Sequence, residues 1–210
     1  MKKEELPKKI SIFPLSNAVF FPKTILPLNI FEDRYLQLVS DSMKENKVFG
    51  MIQPKNIGAK KPDVYSVGCL GKIINFNETK DKRFIITLSG IARFKIEEEL
   101  NTKKIYREFS VDYSPFVEDL NNKIIKKNCD TNLLKKIKIF FNKINFSVEL
   151  DHMIKLNFDQ LINTICMISP FTVIEKQSLI EAIKIDDKVK ILDKIISNNI
   201  FDLEENKTIQ

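Results

Sequence analysis

The stretch FPLSNAVFFPKTILPLNIFEDRY, residues 13–35, decides how the rest of the chain is read. It is too apolar to stay in solvent as a tail, yet Pro14, Pro22 and Pro27 deny it an uninterrupted helix or a central strand. Two short strands joined by a loop fit it better. KISIF, residues 9–13, alternates polar and apolar side chains up to Pro14, and ILPLNIF, residues 25–31, puts Leu26, Leu28 and Ile30 on one face with Pro27 and Asn29 on the other. Pro27 suits only an edge strand, or a position where its missing donor faces no neighbour. The period then changes. Phe31, Tyr35, Leu38, Val39 and Met43 recur at helical spacing behind Glu32 and Asp33, which suit the positive end of a helix dipole and predict a helix to about residue 45. So apolar an opening needs a cover from elsewhere in the fold.

Downstream, VFGMI (48–52) predicts a short buried strand ended by Pro54, and KNIGAKKPD a polar loop. YSVGCLGKIINFN, RFIITLSG, ARFKIEE and YREFSVDY, with turn-forming stretches such as ETKDK and EELNTKK between them, predict an antiparallel meander. Alternation in ARFKIE sends Phe94 and Ile96 inward and Arg93, Lys95 and Glu97 outward. Many short strands around one helix imply a small, partly closed barrel. After Pro115 the period is helical. Leu134, Ile137, Phe141 and Ile144 form a stripe behind a candidate cap at Asp130. Asn157 and Gln160 have capping-box spacing before Phe158, Leu161, Ile162, Ile165 and Cys166. Thr172 and Glu175 repeat that spacing, and Asp186 opens a helix that buries Val189, Leu192 and Ile195 or Ile196. The fold class expected is α+β: a partly closed β-barrel with one inserted helix over residues 1–116, a helical bundle over 117–201, and a frayed tail over 202–210.

With 210 residues, 43% of them hydrophobic, the chain can bury a sizeable core. It has no run of about 18 uncharged apolar residues, and its start, MKKEELPKK, lacks a signal-peptide core, so a cytoplasmic protein with no membrane partner is expected. Cys69, Cys129 and Cys166 form no C-x-x-C and read as structural thiols. His152 is the single histidine, which removes most zinc sites and any His-based triad without it. The net charge of +6 comes from lysines spread along the chain, a pattern closer to codon bias than to a nucleic-acid stripe. There is no phosphate loop, since GCLGK (68–72) is too short and lies within a strand; its glycines read as a bend or a close backbone approach. G-x-S-x-G, H-E-x-x-H and G-x-G-x-x-G are missing too, and the run EEE (97–99) reads as a solvated face. No catalytic residue, metal or cofactor is expected, and the chain reads as one that binds rather than reacts.

The opening stretch and VFGMI together resemble the amino-terminal (LON) domain of the Lon protease family. The matching positions are Phe13, Pro14 and Leu15 of an F-P-L strand end, Phe21 and Pro22 of a V-x-F-P-like loop, Leu26, Pro27 and Leu28 of an L-P-L strand, and Phe31, Glu32, Arg34 and Tyr35 of an F-E-x-R-Y helix start. VGCLGKI, SGIARFKI and EKQSLIEAIKIDDKVKILDKII extend the resemblance over nearly the whole chain. It implies a PUA-like barrel followed by a helical subdomain. In full Lon proteases this region precedes ATPase and Ser-Lys peptidase modules; here the chain ends at Gln210, soon after the last family helix, so a stand-alone, non-catalytic module is expected. The function implied is recognition of unfolded or apolar polypeptide segments, with a separate protease or chaperone as a further partner. RNA binding is the alternative, because PUA-like barrels in other families recognise RNA and this chain is basic.

Phe13, Pro14, Leu15, Pro27, Leu28, Phe31, Glu32, Arg34 and Tyr35 read as structural members of the motif, with Glu32 and Arg34 in a local ion pair. Phe20, Phe21 and Pro22 are the candidate peptide-binding residues. Adjacent aromatics in a proline-bounded loop do not easily both point inward, so at least one is expected in solvent, where it suits an extended apolar peptide.

Overall fold

A computed structural model describes residues 3–16, 18–56, 61–121, 130–147 and 153–208. Its strands are β1 (Lys9–Pro14), β2 (Ile25–Ile30), β3 (Val48–Ile52), β4 (Val67–Glu78), β5 (Phe84–Leu100) and β6 (Arg107–Asp112). Its α-helices among the described residues are α1 (Asp33–Lys44), α2 (Thr131–Lys143), α3 (Phe158–Ile168), α4 (Val173–Glu181) and α5 (Ile185–Thr208). A 3₁₀ turn at Ser114–Leu120 leads from the strands to the helices.

The strands form one mixed sheet in the order β2-β5-β4-β3-β1-β6, with β5 also pairing β6. RFIITLSG and ARFKIEE, read above as separate segments, are a single 17-residue strand. Phe84 to Ser89 pair β2 and Lys95 to Leu100 pair β6, while β4 pairs β5 from Phe84 to Lys95. The circuit β5-β4-β3-β1-β6 thereby returns to β5. β1 and β3 are parallel, and α1 lies between them in sequence, as a parallel pair requires of its crossover. β2 has β5 as its one partner among the described residues, which makes it the edge strand that Pro27 demands. Gly90 N–H donates to Thr24 O at 2.9 Å. Counting on by two turns Leu26 and Leu28 to β5 for their ladder bonds and leaves Pro27 facing the open edge.

One large buried cluster joins Phe13, Phe49, Ile86 and Leu88 of the strands to Ile137, Phe140, Ile165 and Leu192 of the helices. The strand-rich and helix-rich parts divided above at residues 116 and 117 thus share a core. A smaller cluster, including Ile10, Ile12, Leu70, Phe94 and Phe109, fills the interior between the strands. Cys69 and Cys166 are free thiols within buried surroundings, and burial pushes the first well above its usual range and the second up to about 12. Cys129 and His152 lie outside the described residues. No helix among the described residues is long and apolar enough to cross a membrane.

The helix signals met different fates. Thr172 and Glu175 form the full capping box: Glu175 N–H donates to Thr172 Oγ1 at 3.3 Å, and Thr172 N–H to Glu175 Oε2 at 2.8 Å. Asp130 caps α2 by accepting from Asn132 N–H at 2.9 Å. Asn157 occupies the N-cap of α3 without a side-chain bond. The buried face of α2 comprises Leu133, Ile137, Phe140 and Phe141, with Leu134 and Ile144 only partly covered beside it. α5 continues to Thr208, so residues 202–208 extend a helix where fraying was expected; Leu203 packs on the core and Glu204 meets Lys143 at 2.5 Å.

Two sequence expectations need correction here. Phe31 precedes the N-cap of α1 at Glu32 and is 65% exposed, so the helix's apolar stripe starts at Tyr35. Arg93, assigned to the outer face of its strand, is 3% exposed. Its face is not wet: the 3₁₀ turn and the end of α4 cover it, and Asp119 meets its guanidinium at 2.8 Å.

Candidate functional site

The segment holding Phe20, Phe21 and Pro22 lies inside. Phe20 is 3% exposed, Phe21 0%, and Pro22 is buried too, which overturns the expectation that one of the two aromatics faces solvent. The physical reason is a pair of glycines. A Cβ on Gly71 would stand 2.8 Å from the Phe20 ring, and one on Gly90 would stand 2.1 Å from Phe21 O, so both strands leave room for the loop to press down on them. Lys23 N–H bonds Gly90 O at 2.9 Å, and a left-handed φ of 61° at Lys23 turns the chain away. The helices close the other side. Asn163 Nδ2 donates to Pro22 O at 3.0 Å, Lys188 Nζ donates to Asn163 Oδ1 at 2.7 Å and stands 5.2 Å from the Phe21 ring centroid, and Lys23 meets Asp159 at 2.5 Å.

The motif residues read as structural have a second aspect: most of them line a surface depression of about 530 Å³. Phe13, Pro14 and Leu15 come from the end of β1, Leu28 from β2, and Phe31, Glu32, Arg34 and Tyr35 from the start of α1. Pro27, exposed on the outer face of β2, is not among them. A second depression of about 560 Å³ adjoins the first, sharing Pro14, Arg34, Tyr35 and Pro62 with it. We call the adjoining pair the groove.

Tyr35 and Arg34 stand where the two depressions meet. The Tyr35 ring stacks on Phe13 at 4.0 Å between centroids, and the Arg34 guanidinium sits 4.5 Å from the Tyr35 centroid. Arg34 also donates from Nε and Nη2 to Glu32 Oε2, at 2.9 and 2.7 Å, the local ion pair expected from the sequence. Burial pushes the Tyr35 hydroxyl up, with Arg34 opposing the shift. In the second depression Arg107 grips both oxygens of Glu99, at 3.0 and 2.9 Å, and donates to Pro62 O at 2.7 Å. Lys61 reaches Glu99 at 3.0 Å. The hydrogen bond from Arg107 holds the Glu99 carboxyl below its usual range against the opposing effect of burial. Phe31 and Ile105, 65% and 60% exposed, give the groove an apolar rim in each depression.

Lys61, Arg107 and Ile105 were not singled out in the sequence, and Glu99, read there within a solvated run, is instead a partly covered carboxylate held by two cations. A usable signal was there, because Glu99 and Arg107 are opposite charges close to the two ends of a β5–β6 hairpin, where cross-strand pairing favours them.

The chain is thus a sheet packed on helices through a shared core, with a surface groove lined by both apolar side chains and paired charges. The chain belongs to the family of LON substrate-binding domains: the model of the "ATP-dependent protease La (LON) substrate-binding domain" matches residues 9–198. The match is to that domain, not to the protease or ATPase modules. A Lon protease of Cytophaga hutchinsonii is 28% identical over 163 residues, covering 75% of this chain and 19% of the relative. Another, of Syntrophus aciditrophicus, is 24% identical over 215 residues, covering 98% and 27%. The chain therefore spans about a quarter or less of the curated relatives it matches. In structure it is similar to the Lon N-terminal domain protein from Xanthomonas campestris, with a TM-score of 0.61 at 17% identity over 90% of this chain and 97% of that one.

Proposed function

We propose that these residues form a non-catalytic module that binds unfolded or apolar polypeptide segments in the groove around Arg34 and Tyr35. The observation that carries this reading is the convergence of the family motif on one depression, with Phe31 held 65% exposed at its edge. A large aromatic that adds little to the core but stands beside a groove is placed for contact with a partner. The substrate-binding description of the family supports the same reading. Phe20, Phe21 and Pro22, as placed, act from below by fixing the loop rather than by touching a ligand. The pairing circuit through β5 suits a partly closed, PUA-like barrel. A cytoplasmic setting, where thiols stay reduced, suits buried Cys69 and Cys166. A separate protease or chaperone would receive the bound segment.

Affinity is expected on the order of micromolar, because an extended peptide loses conformational freedom on binding. The test is an anisotropy titration of a labelled, unstructured, apolar peptide. Phe31→Ser should weaken binding about tenfold, the effect of losing a modest hot spot of about 1.4 kcal/mol, with the melting temperature nearly unchanged. Equal affinity in a folded Phe31→Ser protein would remove the groove as the site. No binding by the wild type, or tight salt-sensitive binding of an RNA oligomer alone, would remove the function.

A further inference from the structure

The groove carries most of its apolar side chains at one end and an excess of cations at the other. Around the second depression Lys61, Lys104 and Arg107 line the wall with Glu99 as the one acidic member among the described residues. Behind it Glu108 meets both Lys104, at 3.2 Å, and Lys9, at 3.0 Å. Two carboxylates thus hold four cations, while Arg34 and Glu32 balance each other. Glu108 is the withdrawn acid, its side chain 5% exposed against 35% for Lys104, while Glu99 at 32% lies between Lys61 at 67% and Arg107 at 19%. Asp41, which accepts from the Tyr106 hydroxyl at 2.9 Å, is a third carboxylate on this side and has Lys44 at 3.4 Å, so cations still outnumber acids and the field at the mouth is positive within about a Debye length, roughly 8–10 Å, of the wall.

Building on the polypeptide-binding reading above, we propose that the groove selects unfolded segments in which an apolar side chain is followed or preceded, within a few residues, by one or two carboxylates. The apolar side chain enters the depression edged by Phe31, Leu15 and Leu28. The carboxylates lie past Tyr35, facing Lys61 and Lys104. The two depressions share Pro14, Arg34, Tyr35 and Pro62 and so lie side by side, which lets a single extended segment crossing those residues reach both. Charge complementarity of this kind sets specificity and encounter rate more than total affinity.

The experiment compares three labelled peptides of equal length around one apolar cluster, flanked by Asp-Asp, Asn-Asn or Lys-Lys. Each is titrated against the wild type and against the double variant Lys61→Gln/Lys104→Gln. That variant leaves Glu99 with Arg107 and Glu108 with Lys9, so no carboxylate is stranded. The wild type should bind the Asp-Asp peptide about fivefold more tightly than the Lys-Lys peptide at low salt, the scale of a partly exposed ion pair, with the gap closing as salt rises. The double variant should show a narrower gap. Equal affinity for all three peptides, a preference for Lys-Lys, or an undiminished gap in the double variant would overturn the selection while leaving polypeptide binding in place. Failure of all three to bind would overturn the polypeptide reading and the selection with it.

Discussion

The Arg93 guanidinium turns none of its bonds toward solvent. Nε and Nη2 grip the two oxygens of Asp119, each at 2.8 Å, Nη1 donates to Ile180 O at 3.0 Å and to Ala182 O, and Nη2 donates to Ile183 O at 3.2 Å. The carbonyls lie at the C-terminal end of α4, where a cation also meets the negative end of the helix dipole. Removing the guanidinium strands a carboxylate with 11% of its side chain exposed, together with several carbonyls. Arg93→Met should therefore cost roughly 3–5 kcal/mol of stability, and Arg93→Lys should recover little, because an ammonium lacks the planar fork. Chemical denaturation checks it; a midpoint equal to that of the wild type would show that the network contributes nothing net. Arg93 was misplaced from the sequence because period-two reasoning assumes one wet face, and the cover for its face arrives from residues 114–120 and 173–183. Leu28 was placed better. It points the predicted way, yet is only half-buried, because an edge strand above a groove has nothing to complete its cover.

At the scale of elements, β5 is the organiser, and Gly90 is its weak point by design of space. The loop at Phe21 and Pro22 rests on Gly90 itself, so a methyl group there meets backbone at 2.1 and 3.1 Å. Backbone cannot rotate away. Gly90→Ala should fall at or beyond the upper end of the ~1–3 kcal/mol that overpacking costs. Gly71→Ala, whose nearest obstacle is the edge of the Phe20 ring at 2.8 Å, should cost less, since a side chain has freedom to shift. Differential scanning calorimetry of the two variants gives the order, and the reverse order would mean that the loop, not the ring, yields. The individual strands and helices were legible because their apolar periods run unbroken: all of Phe158, Leu161, Ile162, Ile165 and Cys166 are buried as the spacing implied. The burial of the 20–22 loop was not legible. Its lid is Asn163 and Lys188, well over a hundred residues further along, and no local pattern announces that pairing.

For the molecule as a whole, Lys188 is one of the groups through which solution pH reaches the fold, with buried Lys176, also lowered by burial, acting in the same sense. Lys188 is 2% exposed, and burial pushes its ammonium down to about 8, with Arg93 acting in the same direction and Asp119, Cys166 and Cys69 opposing. The unfolded chain holds that proton until about 10.4. Between the two values the unfolded state binds more protons than the folded one, so stability rises with pH from about 8 upward, by at most about 1.4 kcal/mol per pH unit. Cys69 and Cys166 act in the other sense above about pH 9, because their folded thiols are raised above their unfolded values. Urea melts between pH 7.5 and 9 should therefore show a rising midpoint in the wild type and a flatter profile in Lys188→Met. The slope is the readout, since losing the bond to Asn163 shifts the whole curve down. Parallel profiles in the two proteins would show that Lys188 stays charged in its pocket.

Pro27 has a consequence for how such a protein lives among sticky neighbours. An open sheet edge is where an extended chain can add itself as another strand, and β2 is a strand with a single partner among the described residues. Along its open side Ile25 and Asn29 offer donors to a newcomer, but the position between them carries a pyrrolidine ring. A strand seeking to lengthen the sheet loses its central rung there. On the reading proposed above, a bound chain would thereby be kept to the groove, and copies of the protein are hindered from pairing edge to edge.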